Sequence, residues 1–254
     1  MNYTGNFAQY YDKIFAKKQY DQEIEYILEA YNRYSNRKLE NILDFGCGTG
    51  THAMLLSKRT DASLVGYDLS SEMIEVANIK AIDCPKCSFT DNKSNISGRF
   101  DLFMSMFYVV NHLINLSDLR DLFSSASEKI NEGGLFVFDC WNGIAAIKDP
   151  PYSAERERYS DDDNSIVTAC MSSSDLLNSS VLMDNVVNIV KDGKTIRTFS
   201  YKLRHTIWTP YLLKQLLTEY NFEIMAINKT YDIDKEIHEK DYKMVFVCRR
   251  GKDS

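Results

Sequence analysis

No run of apolar residues in this 254-residue sequence approaches the roughly 20 that a helix needs to cross a bilayer. The opening stretch from Met1 to Tyr20 mixes polar and aromatic residues without an apolar segment, so the expectation is a soluble, unexported, cytoplasmic protein with no membrane partner. Internal repeats and low-complexity tracts are absent too, and with 44% hydrophobic residues the chain can bury a sizeable core. There is no excess of basic charge. At a net −6 the chain repels polyanions on average, which disfavours a nucleic-acid partner. The six cysteines are scattered, and Cys140 and Cys248 sit in apolar, strand-like runs where they read as small hydrophobes of a reducing compartment. Cys84-Pro85-Lys86-Cys87 lacks the second Cys or His pair that would complete a zinc site, and Asp161-Asp162-Asp163-Asn164 reads as a solvated turn, so no metal is expected.

What is present is an alternation of strands and helices. Helical spacing from Glu23 to Ala30 leads into a short buried strand, Asn41 to Phe45. A glycine turn follows, then a helix from His52 to Lys58 and a second strand, Ser63 to Tyr67, ending in Asp68. Ser70 is placed to cap the next helix, Glu72 to Ile79, because its hydroxyl can accept from a first-turn amide. Ser88 to Thr90, Phe100 to Phe107 and Leu135 to Asp139 read as further strands, with a helix from Leu116 to Ile130 that Gly133-Gly134 is expected to stop. This is the pattern of a doubly wound, mostly parallel α/β sheet.

Beyond Ser165 the pattern changes. Ile166 to Cys170, Val181 to Val190 and Thr195 to Trp208 are strand-like with no useful helix between them, and Asp192-Gly193 is a hairpin signal. They are read as an antiparallel insertion. Pro210 to Tyr220 returns to helix with proline in the first turn, and Glu223 to Ala226 and Lys243 to Arg249 are two last strands. The expected division is a core of residues 1–150 and 209–254, with residues 151–208 as an insertion covering a substrate pocket.

The chemistry-bearing element is Asp44-Phe45-Gly46-Cys47-Gly48-Thr49-Gly50, a strand running through G-x-G-x-G into a helix. Glycines there let backbone amides approach a ligand and tolerate positive φ. The spacing differs from the G-x-G-x-x-G of dinucleotide enzymes, and no Gly-Lys-Ser/Thr makes a P-loop. Asp68, ending the next strand, is placed to accept from both hydroxyls of a ribose; its plainer reading is a carboxylate at a helix start. Asp91-Asn92 stands where the third strand would meet an adenine edge, or is a simple turn.

The segments ILDFGCGTGTH (Ile42 to His52) and GYDLSSEMIEVA (Gly66 to Ala77) resemble class I S-adenosylmethionine-dependent methyltransferases. NYTGNFAQYYD (Asn2 to Asp12), KQYDQEIEYI (Lys18 to Ile27), RFDLFMSMFYVVNHL (Arg99 to Leu113) and EGGLFVFDCWN (Glu132 to Asn142) resemble the nucleotide-sugar N,N-dimethyltransferases that act on TDP-linked deoxyaminosugars. The likeness is clear to Asn142 and weaker through the insertion. It implies a seven-stranded Rossmann-like sheet, S-adenosylmethionine as cofactor and S-adenosylhomocysteine as product. By the same likeness Tyr11 and Tyr20 hold the methionine carboxylate, Asp68 the ribose and Asp91 the adenine, while Met106 lies on the fourth-strand segment. Asp44, Gly46, Gly48, Gly50, Leu69, Met73 and Asn92 complete the expected cofactor set.

On the acceptor side the resemblance implies substrate contact by Tyr3, His112 near the reacting atom, and Lys243 in place of a phosphate-binding arginine, a cation without the bidentate fork. Cys140-Trp141-Asn142 stands where the family has Pro-Trp-Trp, so Trp141 is expected in a rebuilt sugar pocket. Arg204 and His205 precede Trp208 on an alternating strand, so at most one points inward; Arg204 is taken as the substrate contact. N- or O-methylation both fit, with His112 either a base or a positioning group. A non-catalytic S-adenosylmethionine-binding module is the alternative. Asp149-Pro150-Pro151-Tyr152 spells a motif of DNA amino-methyltransferases, but it lies well beyond the fifth strand rather than directly after the fourth, so nucleic-acid methylation is a remote alternative.

Overall fold

The computed structural model describes residues 6–160 and 164–252. Two sheets organise it. The first carries β1 (Asn41–Phe45), β2 (Ser63–Tyr67), β3 (Cys87–Thr90), β4 (Phe100–Ser105), β5 (Ile130–Trp141), β10 (Phe222–Lys229) and β11 (Lys243–Arg250). Its order is β10-β11-β5-β4-β1-β2-β3, parallel from β5 to β3 and antiparallel where β11 meets β5 and β10. The α/β class with a seven-stranded, mostly parallel sheet is therefore the fold.

Alternation along each strand sends side chains to two cores. Leu43, Phe45, Phe103, Phe136, Phe138 and Phe246 face one layer, closed by Leu119, Leu122 and Phe123 of α6 (Leu116–Lys129) and Leu213, Leu216 and Leu217 of α8 (Pro210–Glu219). Ile42, Leu64, Leu102, Met104, Val137 and Val245 face the other, closed by Ile24 and Ile27 of α2 (Tyr20–Tyr34) and Ala53 and Leu56 of α3 (Thr51–Ser57). Each such side chain contributes about 1.5–3 kcal/mol on full burial.

Helix starts follow their caps. Ser70 Oγ accepts from the Met73 amide at 3.3 Å at the start of α4 (Ser71–Lys80), and Thr209 accepts from Leu212 ahead of Pro210. One expectation is corrected: Gly133-Gly134 does not stop α6, which ends at Lys129 and passes straight into β5. Those glycines lie inside β5, where a Cβ on Gly134 would come within 2.8 Å of the Asp101 carbonyl.

The second sheet is β6 (Ala154–Ser160), β7 (Asn164–Asp175), β8 (Ser180–Lys191) and β9 (Lys194–Thr206), antiparallel in sequential order. Positive φ at Asp192 and Gly193 makes the β8–β9 hairpin. The sequence pattern signals three of these strands and misses β6, whose charged AERERYS carries little apolar alternation, and the short α7 (Gly143–Lys148) before it. Helix α1 (Asn6–Ile14) joins the sheets: Phe7, Ala8 and Ile14 pack with Met73 of α4 and with Ile166, Val187 and Tyr201 of the second sheet.

Candidate active site

At the carboxyl edge of the first sheet, β1 leaves one neighbour chain-wise toward β2 and the other toward β4, the switch point at which open α/β sheets bind ligands. The glycine turn is built there. Gly46 and Cys47 both donate backbone N–H groups to the Tyr67 carbonyl, at 2.7 and 2.9 Å, and Gly46, Gly48 and Gly50 all have positive φ. A Cβ on Gly46 would lie 2.5 Å from Val109, so only glycine fits. Asp68 accepts from the Gly48 amide at 2.9 Å and from the Ser70 amide at 3.0 Å. Burial pushes its carboxyl above the usual range against the pull of those amides.

These groups line a cavity of about 400 Å³. Gly46, Gly48, Asp68, Leu69, Met73, Met106 and Tyr11 form its wall near β1 and β2, and His112, Trp141 and His205 its wall near β5. Tyr11 lies over the turn, its ring 3.8 Å from where a Gly48 Cβ would stand. A second cavity of about 350 Å³ adjoins, sharing Trp141, Arg158, Met183 and Asn185. Arg156, Arg158 and Lys243 make its wall cationic.

Between β4 and β5 the backbone is strained. Phe107 and Tyr108 both have positive φ, 66° and 62°, a conformation that side-chain-bearing residues adopt only when held. Asp139 holds it, accepting from the Tyr108 amide at 2.7 Å and the Tyr231 hydroxyl at 2.5 Å. The short helix α5 (Val109–His112) follows, and its Asn111 donates to the Thr206 carbonyl and accepts from the Trp141 amide, both at 2.9 Å.

Such a turn, acid and switch-point cavity are what an adenosine-bearing cofactor requires, and the relatives of the chain agree. Residues 15–227 match the methyltransferase domain family. The chain belongs to that family. S-adenosylmethionine is its cofactor. A Geobacillus sp. (strain WCH70) protein with a provisional methyltransferase name is 32% identical over 139 residues, 53% of this chain and 56% of its own, so the match spans about half that relative's length. The dTDP-3-amino-3,4,6-trideoxy-alpha-D-glucopyranose N,N-dimethyltransferase of Streptomyces venezuelae is 26% identical over 200 residues, 78% of this chain and 82% of its own. An S-adenosylmethionine-dependent methyltransferase from Clostridium acetobutylicum ATCC 824 shares the fold at a TM-score of 0.81, with 22% identity, 97% of this chain and 98% of its own covered.

The methyltransferase fits its cofactor on one further observation. Asp44, buried beside the turn, has an Oδ2 with no partner among the described residues, and burial together with Asp68 pushes its carboxyl up to about 8.

Several expected residues lie elsewhere. Asp44, Tyr20 and Gly50 do not line the cavity. Tyr20 packs edge-on to His52 with Lys18 3.9 Å above its ring, beside a buried cluster in which Glu23 bonds Lys18 and, at 2.7 Å, His52. Asp91 and Asn92 are exposed and outside the lining; Asn92 uses its side chain to accept from the Ser94 amide. Arg204 is exposed, 3.2 Å from Ser180 Oγ, and lines neither cavity; the alternation of β9 turns His205 inward in its place. Tyr3 lies outside the described residues.

Other wall residues were not anticipated. Tyr108, Arg158 and Asn185 reach the first cavity, and Arg156 and Tyr242 the second, as do Asp149 to Tyr152, whose motif pointed elsewhere. Only Asp139, an acid closing an apolar strand, advertised the strained turn.

Proposed function

We propose that this chain transfers the methyl group of S-adenosylmethionine to an amine on a nucleotide-linked sugar. One observation carries the reading: the cavity holding the glycine turn and Asp68 shares Trp141 and Arg158 with a second one, which Arg156 and Lys243 also line. Three cations suit a diphosphate, and an aromatic wall suits a sugar ring. The similarity to a Streptomyces venezuelae enzyme named for a dTDP-linked amino sugar supports the same class.

Bound S-adenosylmethionine supplies an electrophilic methyl on a sulfonium. The protein's part is to align an acceptor about 3 Å from that carbon and in line with sulfur. In this reading Asp68 and Gly48 fix the adenosine end, Met106 and Tyr11 line the path to the methyl, and Arg156, Arg158 and Lys243 anchor the acceptor's phosphates. His112 stands beside the reacting atom. Burial and the neighbouring His205 hold its imidazole well below the ordinary range, making it a poor base for a hydroxyl. A neutral amine needs no base, which favours N- over O-methylation.

The test is a screen of TDP-, UDP-, GDP- and CDP-linked amino and hydroxy sugars for S-adenosylhomocysteine release, with the products weighed by mass spectrometry. Methylated amino sugar from one nucleotide class is the expected result. Turnover restricted to hydroxy sugars, or to DNA or RNA, would overturn it.

A further inference from the structure

His112 and His205 form a pair. Their ring centroids are 4.4 Å apart at 37°, and His205 stacks on Trp141 at 4.6 Å and 24°. Both line the first cavity, His205 is buried and His112 half-buried, and Nδ1 of each is shielded and has no partner among the described residues. A neutral imidazole carries one donor and one acceptor, and leaving them unmade in the interior is costly. Phenylalanine would fill the stack against Trp141 without that cost.

The pair is also fixed in place. Asn111, next to His112, bonds the Thr206 carbonyl next to His205 and the amide of Trp141. One buried amide thus ties together the three elements that carry both imidazoles and the indole beneath them. The first sheet sets where the pair stands relative to the cofactor: Asp68 ends β2, the glycine turn ends β1, Met106 follows β4 and Trp141 ends β5, consecutive stations along the sheet edge at roughly 4.8 Å per strand. With adenosine over β1 and β2, the pair lies on the side where the methyl must be delivered.

From this geometry we infer that His205 is a positioning residue for the methyl acceptor, pairing with His112 to accept hydrogen bonds from the acceptor's N–H groups and so turn its lone pair toward the methyl. Two acceptors match the two N–H bonds of a neutral primary amine. A tertiary amine product has none and loses its hold. The inference rests on the first cavity being the methyl-donor site, and the experiment separates the two.

Sinefungin, an S-adenosylmethionine analogue with an amine in place of the transferred methyl, probes the pair without an acceptor. Calorimetry would compare it with S-adenosylhomocysteine on wild type, His205→Phe and His205→Gln. Wild type is expected to prefer sinefungin, His205→Phe to lower that preference on the order of tenfold with S-adenosylhomocysteine affinity retained, and His205→Gln, which can accept, to regain part of it. An unchanged preference in His205→Phe, no preference in wild type, or loss of S-adenosylhomocysteine binding by both variants would overturn the inference. Wild type failing to bind S-adenosylhomocysteine would sink the donor site itself, and the pair's role with it. Retained discrimination with no nucleotide-linked amino sugar turned over would sink the acceptor class alone.

Discussion

The backbone N–H of Gly48 donates to the Asp68 carboxylate at 2.9 Å, so the acid that ends the second strand braces the turn that ends the first. Asp68 therefore shapes the turn, and on the proposed reading its remaining lone pairs face the ribose. Asp68→Ala should weaken S-adenosylhomocysteine binding by about 1.5–3 kcal/mol, the scale of a hydrogen bond to a charged group, and should also lower the melting temperature. Isothermal calorimetry beside a thermal melt checks both; unchanged affinity would remove Asp68 from the cofactor site.

Gly46→Ala combines a positive φ of 83° with a Cβ only 2.5 Å from Val109. Backbone strain on the order of 1–2 kcal/mol is expected in stability, with cofactor affinity falling further because Val109 lines the same cavity. Denaturant unfolding with and without S-adenosylhomocysteine would separate the two effects, and an alanine variant binding normally would contradict the turn's role.

Buried groups pull stability in opposite directions with pH: burial raises Asp44 and Asp68, whose contribution is lost as pH rises, whereas the buried histidines lose theirs as pH falls. Burial lowers His52, His112 and, to about 4, His205. A histidine whose folded value is depressed stabilises fully above its unfolded value near 6.5 and loses that contribution as pH falls through the folded value. For His205 the span corresponds to on the order of 3 kcal/mol. Burial raises Glu23 but the His52 hydrogen bond and Lys18 outweigh it, so its contribution is present above about 4.3 and lost below. The stability of wild type relative to His205→Phe, read from paired thermal melts, should be level above pH 7 and fall toward pH 4. A flat profile down to pH 4 would contradict this.

Cys84 and Cys87 lie with their sulfurs 3.2 Å apart, and the Ser57 hydrogen bond holds the Cys84 thiol below its ordinary value while burial pushes Cys87 up to about 12. Cys47, Cys140 and Cys248 are buried. Brief alkylation near pH 8 followed by peptide mass mapping should modify Cys84 first. Labelling of Cys140 or Cys248 ahead of it would be the contrary result.

Lys243→Ala should slow turnover of nucleotide-linked sugars more than that of the same amino sugars without phosphate, because Lys243 shares its cavity with Arg156 and Arg158. Equal effects on both, measured as kcat/KM, would argue against a phosphate contact.

The sequence announced the first sheet because its strands are continuous apolar runs between capped helices, and local periodicity is sufficient to find those. It announced the glycine turn because the conformation demands glycine. The acceptor side was harder to see. His205 and Arg158 come to the cavity from β9 and β6, strands that are polar on one face, and which of Arg204 and His205 turns inward depends on register against β8 rather than on either residue. Asp91 and Asn92 are exposed outside the cavity lining: a position after the third strand does not oblige a side chain to face the cavity, and Asn92 caps the next turn instead.

Gly143 approaches the Trp208 carbonyl so closely that an added Cβ would sit 2.4 Å from it. The chain thus leaves for the second sheet and returns from it at a single point, Asn142-Gly143 against Trp208-Thr209, with β5 before it and α8 after. The strands between can vary in length without parting β5 from α8, while Ile166, Val187 and Tyr201 keep them packed on α1 and Met73. On the proposed reading, descendants of such a chain change acceptor through loop and strand tips far from that packing and keep their hold on the methyl donor.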